Sequence, residues 1–293
     1  MEGKIVAETI KEQVKNEIRA LTLEGLPSPH LAAILVGSNG ASETYVTSKI
    51  RNCEETGIRS TLVRLEENCT EEYLLHQISV LNEDPDVDGI LVQLPLPSHI
   101  NENNIISAIS IDKDVDGFHP ENAGRLVLGL DTFIPATPYG ILLMLEHYKI
   151  QTEGKHAVII GRSNIVGRPL SILLSSNTYP GNCTVTLCHS RTRKLDELCQ
   201  QADIIIAALG MPDFLTGNMV KKGAVVIDVG ITRVADPFKK SGFAIKGDVY
   251  FEEVKDKASY ITPVPGGVGL TTIAALLKNT QKAWKLRRNL ITA

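Results

Sequence analysis

Tyr45-Val-Thr-Ser-Lys49 sets a phenol and an amine four residues apart, so that on a helix both project from one face. A phenol and an amine are each one environmental shift from titrating near neutral pH, and together they read as a proton-handling pair. Gln93 closes an apolar run just before Leu94-Pro-Leu-Pro97. A primary amide there either satisfies local backbone groups or reaches into a cleft. Asp116 lies in Lys113-Asp-Val-Asp-Gly-Phe-His119, where acids and glycine commonly make turns, and as a single residue it reads first as part of one.

A second chemical signal follows well downstream. Gly161-Arg-Ser-Asn-Ile-Val-Gly167 comes after an apolar run and opens a helical segment. A phosphate loop needs this context: glycine permits close backbone approach, and the free N–H groups of the helix start face the anion. The spacing is not Gly-x-Gly-x-x-Gly, so a plain strand-to-helix turn is the competing reading. The next strand discriminates further. Dinucleotide domains that take NAD usually end it with an acid on the ribose 2′-hydroxyl. Here it ends Cys188-His-Ser-Arg-Thr192, with no acid before Asp196. Ser190 and Arg191, with Arg162 in the first loop, suit a 2′-phosphate and favour NADP over NAD, the alternative being a solvated turn. Ile261-Thr-Pro-Val-Pro-Gly-Gly-Val-Gly269 is stiff and then bare. Bare backbone before a helix suits a flat or anionic ligand, or simply connects two domains.

The elements that must position these groups alternate regularly. His30–Val36, Ser60–Leu65 and Gly89–Gln93 read as strands, with Thr70 capping an intervening helix. They are continuous apolar runs, as expected for parallel strands covered on both faces, so the first 120 residues read as a βαβαβ domain. After Pro138 the runs His156–Ile160, Thr184–Cys188, Asp203–Ala207 and Ala224–Asp228 have the rhythm of a nucleotide-binding parallel sheet. A last helix, Leu270 to about Leu290, could return to the first domain. The fold class is therefore α/β in two domains, residues 1–139 plus 270–293 and residues 140–269. Asp-Val-Asp-Gly occurs at 86–89 as well as at 114–117, and the first copy reads as a turn.

Bulk properties narrow the function. The 293 residues are 43% apolar and 22% charged with a net charge of −4, so no broad field argues for nucleic acid or an anionic membrane. The basic run Lys282 to Arg288 reads as cations complementing a helix C-terminus. Cys53, Cys69, Cys183, Cys188 and Cys199 form no Cys-x-x-Cys, so free thiols are expected and no metal site. The N-terminus reads as an amphipathic helix from about Ala7 rather than a signal sequence, and Ile204–Met211, the longest apolar stretch, is too short to span a bilayer. A cytoplasmic protein is expected.

Tyr45-Val-x-x-Lys49, Val92-Gln-Leu-Pro-Leu-Pro97, Lys113-Asp-Val-Asp-Gly117, Gly161-Arg-Ser-x-Ile-Val-Gly167, Val226-Ile-Asp-Val-Gly-Ile231 and Thr262-Pro-Val-Pro-Gly-Gly-Val-Gly269 occur in the order of one family. The chain resembles, from first helix to last, the bifunctional methylenetetrahydrofolate dehydrogenase/methenyltetrahydrofolate cyclohydrolases of the FolD type. The resemblance implies a folate-binding catalytic domain, a Rossmann-like NADP domain, an active site in the cleft between them, and a homodimer formed through the nucleotide domain. It implies tetrahydrofolate derivatives as substrates in one-carbon metabolism. Lys49 would be the central catalytic group, oriented by Gln93, with Tyr45 framing the folate and Asp116 accepting N–H groups of the pterin. Val92, Leu94, Pro265, Gly266, Gly267 and Thr272 would complete the substrate site. Gly161, Arg162, Ser163, Ile165, Ser190, Arg191 and Ile231 would hold the cofactor. One departure is visible: Leu270-Thr271 stands where the family has Pro-Met, ahead of the matching Thr272. Short-chain dehydrogenases also use Tyr-x-x-x-Lys, but there the pair follows the nucleotide loop within one domain, whereas here it precedes it. A dehydrogenase without the hydrolase step is disfavoured by the presence of both Lys49 and Gln93, and a non-catalytic folate or nucleotide binder would be expected to lack one of Tyr45, Lys49, Gln93 or Asp116.

Overall fold

The computed structural model describes residues 1–239 and 242–291. It divides into two compact units, Glu8–Ala136 with Ile273–Ala293 and Met1–Ala7 with Thr137–Thr272.

In the first unit, α1 (Gly3–Leu23, its first turns counted with the other unit) leads into β1 (His30–Val36), α2 (Gly40–Thr56), β2 (Arg59–Leu65), α3 (Glu71–Glu83) and β3 (Gly89–Val92). Two short helices follow, α4 (Glu102–Ala108) and α5 (Pro120–Leu128). The expected βαβαβ series forms a parallel sheet of order β2-β1-β3. Every residue of β3 is buried, as is Leu31–Val36 of β1, as continuous apolar runs require. Strand β2 departs from that expectation: it is an edge strand, and Arg59, Thr61 and Arg64 face solvent. Helix α3 places Leu74, Ile78 and Leu81 at helical spacing against Ile34, Ile90 and Val92. Its N-terminus is closed by Thr70, whose Oγ1 accepts the N–H of Tyr73 at 3.2 Å.

The second unit begins with α6 (Ala136–His147) and continues through β4 (His156–Ile160), α7 (Gly167–Ser175), β5 (Thr184–Cys188), α8 (Leu195–Gln201), β6 (Ile204–Ala207) and β7 (Val225–Asp228). A hairpin of β8 (Thr232–Ala235) and β9 (Phe243–Lys246), a short α9 (Phe251–Val254) and β10 (Tyr260–Ile261) precede α10 (Val268–Arg287). The main sheet is parallel with order β10-β7-β6-β4-β5. The chain runs outward from β4 to β5, then returns across β4 to β6. This reversal creates a crevice at the carboxyl ends of β4 and β6, the place where open α/β sheets take ligands.

Most of α10 belongs to the first unit, where it is tied by specific bonds. Asn279 Nδ2 donates to the carbonyls of Val115 and Ile134, both at 2.8 Å, and Trp284 Nε1 donates to that of Pro27 at 2.9 Å. The basic run does more than complement a helix end. Lys282 pairs with Asp131, Lys285 with Glu17, and Arg288 with the fully buried Asp88. Asp88 also accepts the N–H of His30 at 3.0 Å, so the first Asp-Val-Asp-Gly is an anchor for β1 as well as a turn. Among the described residues no helix is long and apolar enough to cross a membrane. No group of three or more His, Cys, Asp or Glu there is placed to hold a metal ion.

Candidate active site

The helical period of α2 stacks Tyr45 and Lys49 as expected, with Lys49 Nζ 5.0 Å from the centre of the phenol ring. Lys49 is only 5% exposed. Its ammonium donates to Gln93 Oε1 at 3.2 Å. Gln93 follows β3 directly, its own N–H bonded to the Ile34 carbonyl at 2.9 Å. Both readings of this amide hold at once: Nε2 donates to the Leu94 carbonyl at 2.7 Å, which leaves Oε1 turned to the lysine. The opposite flip would set a donor against the ammonium, so the orientation is fixed by chemistry. Val92 is buried in the sheet core and Leu94 packs against it, ahead of a cis Leu94–Pro95 bond. Cys53, one turn beyond Lys49, is no nucleophile, since burial pushes its thiol up to about 12 despite the opposing charge of Lys49.

Asp116 is held by neighbours whose importance the local pattern did not convey. Lys113 is 2% exposed, and its Nζ donates to the carbonyls of Leu81, Asn82 and Asp84 at 2.9, 2.8 and 2.7 Å. It thereby satisfies carbonyls at the C-terminus of α3, although burial lowers its pKa. Asp114 accepts the N–H of Phe118 at 3.2 Å, that of His119 at 2.8 Å, and Asn122 Nδ2 at 2.8 Å. The turn chemistry expected of this segment therefore belongs to Asp114. Asp116 is 9% exposed, and among the described residues its carboxylate has no hydrogen-bond partner, which leaves an acceptor available.

The remaining substrate-site candidates lie in the second unit. Pro265 follows a cis bond, and Gly266 accepts the N–H of Gly3 at 2.9 Å through its carbonyl. Thr272 is 7% exposed, its Oγ1 lying 3.0 Å from the Val268 carbonyl and 3.3 Å from Thr137 Oγ1. At the departure from the family pattern, Leu270 faces solvent at 39% exposure, while Thr271 is fully buried and donates to the Val268 carbonyl at 2.9 Å.

A cavity of about 610 Å³ opens at the crevice of the five-stranded sheet, lined by Gly161 and Arg162 after β4, His189 and Ser190 after β5, and Ala208 and Leu209 after β6. Gly161 has φ +127°, and a Cβ there would stand 2.0 Å from the Ala208 carbonyl oxygen, so only glycine lets these two loops approach. Ser163 Oγ turns back to accept the N–H of Val166 at 3.2 Å. The hydroxyl of Ser190 is exposed and has no partner among the described residues. Arg162 and Ile165 are exposed on the first loop, and Ile231 is 57% exposed after β7. Arg191 is exposed too but does not line the cavity; Thr192 does, and its Oγ1 accepts the N–H of His189 at 2.9 Å. Ile160, Thr192, Leu195, Met211 and Phe214 complete the lining; none of them was an expected cofactor residue, because side chains drawn from separate loops share no local spacing. The glycine-bared backbone, a free hydroxyl and a guanidinium at one cavity fit a phosphorylated dinucleotide.

Asp228, at the end of β7, is 3% exposed. Its oxygens accept the N–H groups of Gly230 at 2.9 Å, Asp248 at 2.9 Å and Val249 at 3.0 Å. Burial outweighs those bonds and raises its pKa to about 6, with the charge of Asp248 adding to the rise. A carboxyl whose folded pKa is raised contributes stability that is full below its unfolded pKa and lost as pH climbs through the folded one. Wild-type protein is therefore expected to lose about 2 kcal/mol relative to Asp228→Asn between pH 4 and pH 7. Urea titrations of both proteins across that range check this, and a constant difference would contradict it.

Comparison with known proteins places these features in one family. Residues 1–116 match the family model described as the catalytic domain of tetrahydrofolate dehydrogenase/cyclohydrolase, and residues 135–288 match its NAD(P)-binding domain. The chain is 58% identical to a bifunctional protein FolD of Flavobacterium johnsoniae, over 98% of this chain and 97% of that protein. Among solved structures, the FolD enzyme of Campylobacter jejuni is 51% identical, with a TM-score of 0.91 over 98% of both chains. The dehydrogenase-cyclohydrolase of Trypanosoma brucei, solved with NADP and an inhibitor, is 36% identical with a TM-score of 0.94, covering 100% of this chain and 98% of that one.

Proposed function

The chain belongs to the tetrahydrofolate dehydrogenase/cyclohydrolase family, and from that premise we propose that it oxidises 5,10-methylenetetrahydrofolate and hydrolyses the product to 10-formyltetrahydrofolate. The observation that carries this reading is the buried Lys49 ammonium held between Gln93 Oε1 and the Tyr45 ring, in a chain that matches both family domains.

NADP⁺, when bound, accepts the hydride that leaves the methylene carbon. Arg162 and Ser190 would hold its 2′-phosphate, Gly161, Ser163 and Ile165 would present the backbone of the first loop, and Ile231 would contact it after β7. Arg191 would add a positive charge from outside the cavity. Tyr45, Val92, Gln93, Leu94, Pro265, Gly266, Gly267 and Thr272 would bind the folate. Asp116, with its carboxylate uncommitted, would accept N–H groups of the pterin edge.

Loss of hydride leaves a methenyl carbon bonded to N5 and N10 that carries positive charge. Water adds to that carbon as one of its protons leaves. The carbon–N5 bond then breaks as the new hydroxyl gives up its proton to become the formyl C=O and N5 gains a proton. One proton is released overall, and the formyl group remains on N10. Lys49 is the group proposed to move these protons, since hydride transfer itself needs none. Gln93 fixes where the amine points. Tyr45 covers the amine with its ring face and frames the substrate.

Incubation of the protein with 5,10-methylenetetrahydrofolate and NADP⁺ is expected to give NADPH and 10-formyltetrahydrofolate, and methenyltetrahydrofolate alone is expected to be hydrolysed without nucleotide. No NADPH with the first mixture would sink the reading. A homodimer through the nucleotide domain and a cytoplasmic location are part of the same proposal; sedimentation of a monomer at micromolar concentration would remove the former.

A further inference from the structure

We propose that Asp248 is a positioning residue for the nucleotide cavity: its carboxylate holds the loop after β6, its own N–H is held by Asp228 at the end of β7, and together these bonds fix the backbone that lines the cofactor site. This rests on the reading of that cavity as the NADP site. Asp248 is fully buried and lies outside the six sequence motifs that this chain shares with the family. Its Oδ2 accepts the N–H groups of Leu209 at 2.7 Å and Gly210 at 3.0 Å. These residues continue directly from Ala208, whose carbonyl oxygen sits where a side chain on Gly161 would begin. A shift of the Ala208–Gly210 backbone would therefore press on, or withdraw from, the phosphate loop.

The other side of the clasp runs through Asp228. Asp248 donates its own N–H to Asp228 Oδ1 at 2.9 Å, and the same oxygen accepts the N–H of Gly230, the neighbour of Ile231. The N–H of Asp228 in turn donates to Thr262 Oγ1 at 2.7 Å. Two carboxylates thus hold the backbone N–H groups of Leu209, Gly210, Gly230, Asp248 and Val249. The fit is close, since a Cβ on Gly230 would stand 2.4 Å from Asp248 Oδ1.

That oxygen, Oδ1, is buried with no hydrogen-bond partner among the described residues. An unpartnered buried carboxylate oxygen is costly, so packing alone does not account for an acid here. The working atom is Oδ2, and what it holds is the cavity wall.

The distinction between oxygens gives a sharp test on the full chain. Asp248→Ala removes the acceptor of Leu209 and Gly210. It is expected to raise the Kd and KM for NADP⁺ by about 10-fold or more, while nucleotide-free hydrolysis of methenyltetrahydrofolate stays within about 2-fold of wild type. Asp248→Asn can keep an oxygen at the Oδ2 position and place its NH₂ where Oδ1 has no partner. It is expected to restore the Kd to within about 3-fold of wild type. Gly230→Ala, which crowds the clasp without removing it, is expected to produce the same selective rise and serves if the alanine variant at 248 does not fold. An unchanged Kd, or equal loss of binding and hydrolysis, in Asp248→Ala or Gly230→Ala overturns the proposal, as does an Asp248→Asn variant that binds no better than Asp248→Ala. Failure of the wild-type protein to bind NADP⁺ overturns the cofactor reading itself.

Discussion

Lys49→Met is expected to cut hydrolysis of methenyltetrahydrofolate by at least about 100-fold, within the range that positioned acid–base groups contribute. The substitution keeps an unbranched side chain one atom shorter, and removes its charge and its N–H donors. Because Lys49 is 5% exposed, replacing the ammonium by a thioether takes away a buried charge, which is neutral or stabilising when shape is kept. The cost is one carbonyl oxygen, Gln93 Oε1, left without its donor at 3.2 Å. The fold therefore survives, and the loss reports chemistry. Oxidation of the methylene substrate moves a hydride and no catalytic proton, so it is expected to fall less than about 10-fold. Disappearance of the methenyl chromophore measures the first rate and appearance of NADPH the second. An unchanged hydrolysis rate would remove Lys49 from the central role.

Ser190→Asp is expected to weaken NADP⁺ by roughly 10- to 1,000-fold while leaving NAD⁺ within a few-fold of its starting value. Two like charges about 4 Å apart repel by ~1 kcal/mol in water and by ~4 kcal/mol near a protein surface. Ser190 lines the cavity with a hydroxyl that has no partner among the described residues, so a carboxylate there would meet the 2′-phosphate directly. Against NAD⁺ the same carboxylate faces a ribose hydroxyl that it can accept, the arrangement by which NAD-dependent domains read the ribose. The ratio of the two KM values gives the answer. Equal losses for both nucleotides would show that the turn after β5 does not read the phosphate.

How far these residues were legible depended on whether their physics is local. The apolar runs of β1, β3, β4 and β6 declared a parallel sheet because such strands are buried on both faces. Tyr45 and Lys49 were placed on one face by the helical period alone, and Gly161 by its position between strand and helix. The hairpin β8–β9 was missed, since its connection carries no two-residue Asn-Gly or Asp-Gly turn, and β10 is too short to show a pattern. Lys113 and Asp88 escaped for a different reason. Lys113 bonds carbonyls about thirty residues away, and Asp88 meets Arg288 across 200 positions, so nothing nearby signals burial. Asp114 and Asp116 occupy equivalent places in an acidic turn, and the pattern could not tell which carboxylate is spent on the turn. Only the bonds to Phe118, His119 and Asn122 separate them.

The central claim is that one chain moves a hydride off the methylene carbon and then adds water to that same carbon. Substrate carrying two deuterium atoms on the methylene bridge, turned over with NADP⁺ in water enriched in oxygen-18, follows both events in a single mass-spectrometric analysis. The account predicts one deuterium on the reduced nicotinamide, and the other in the formyl group of 10-formyltetrahydrofolate together with a solvent oxygen. Reduced nicotinamide without deuterium, or a product halted at the methenyl stage beyond its spontaneous hydrolysis, would contradict it.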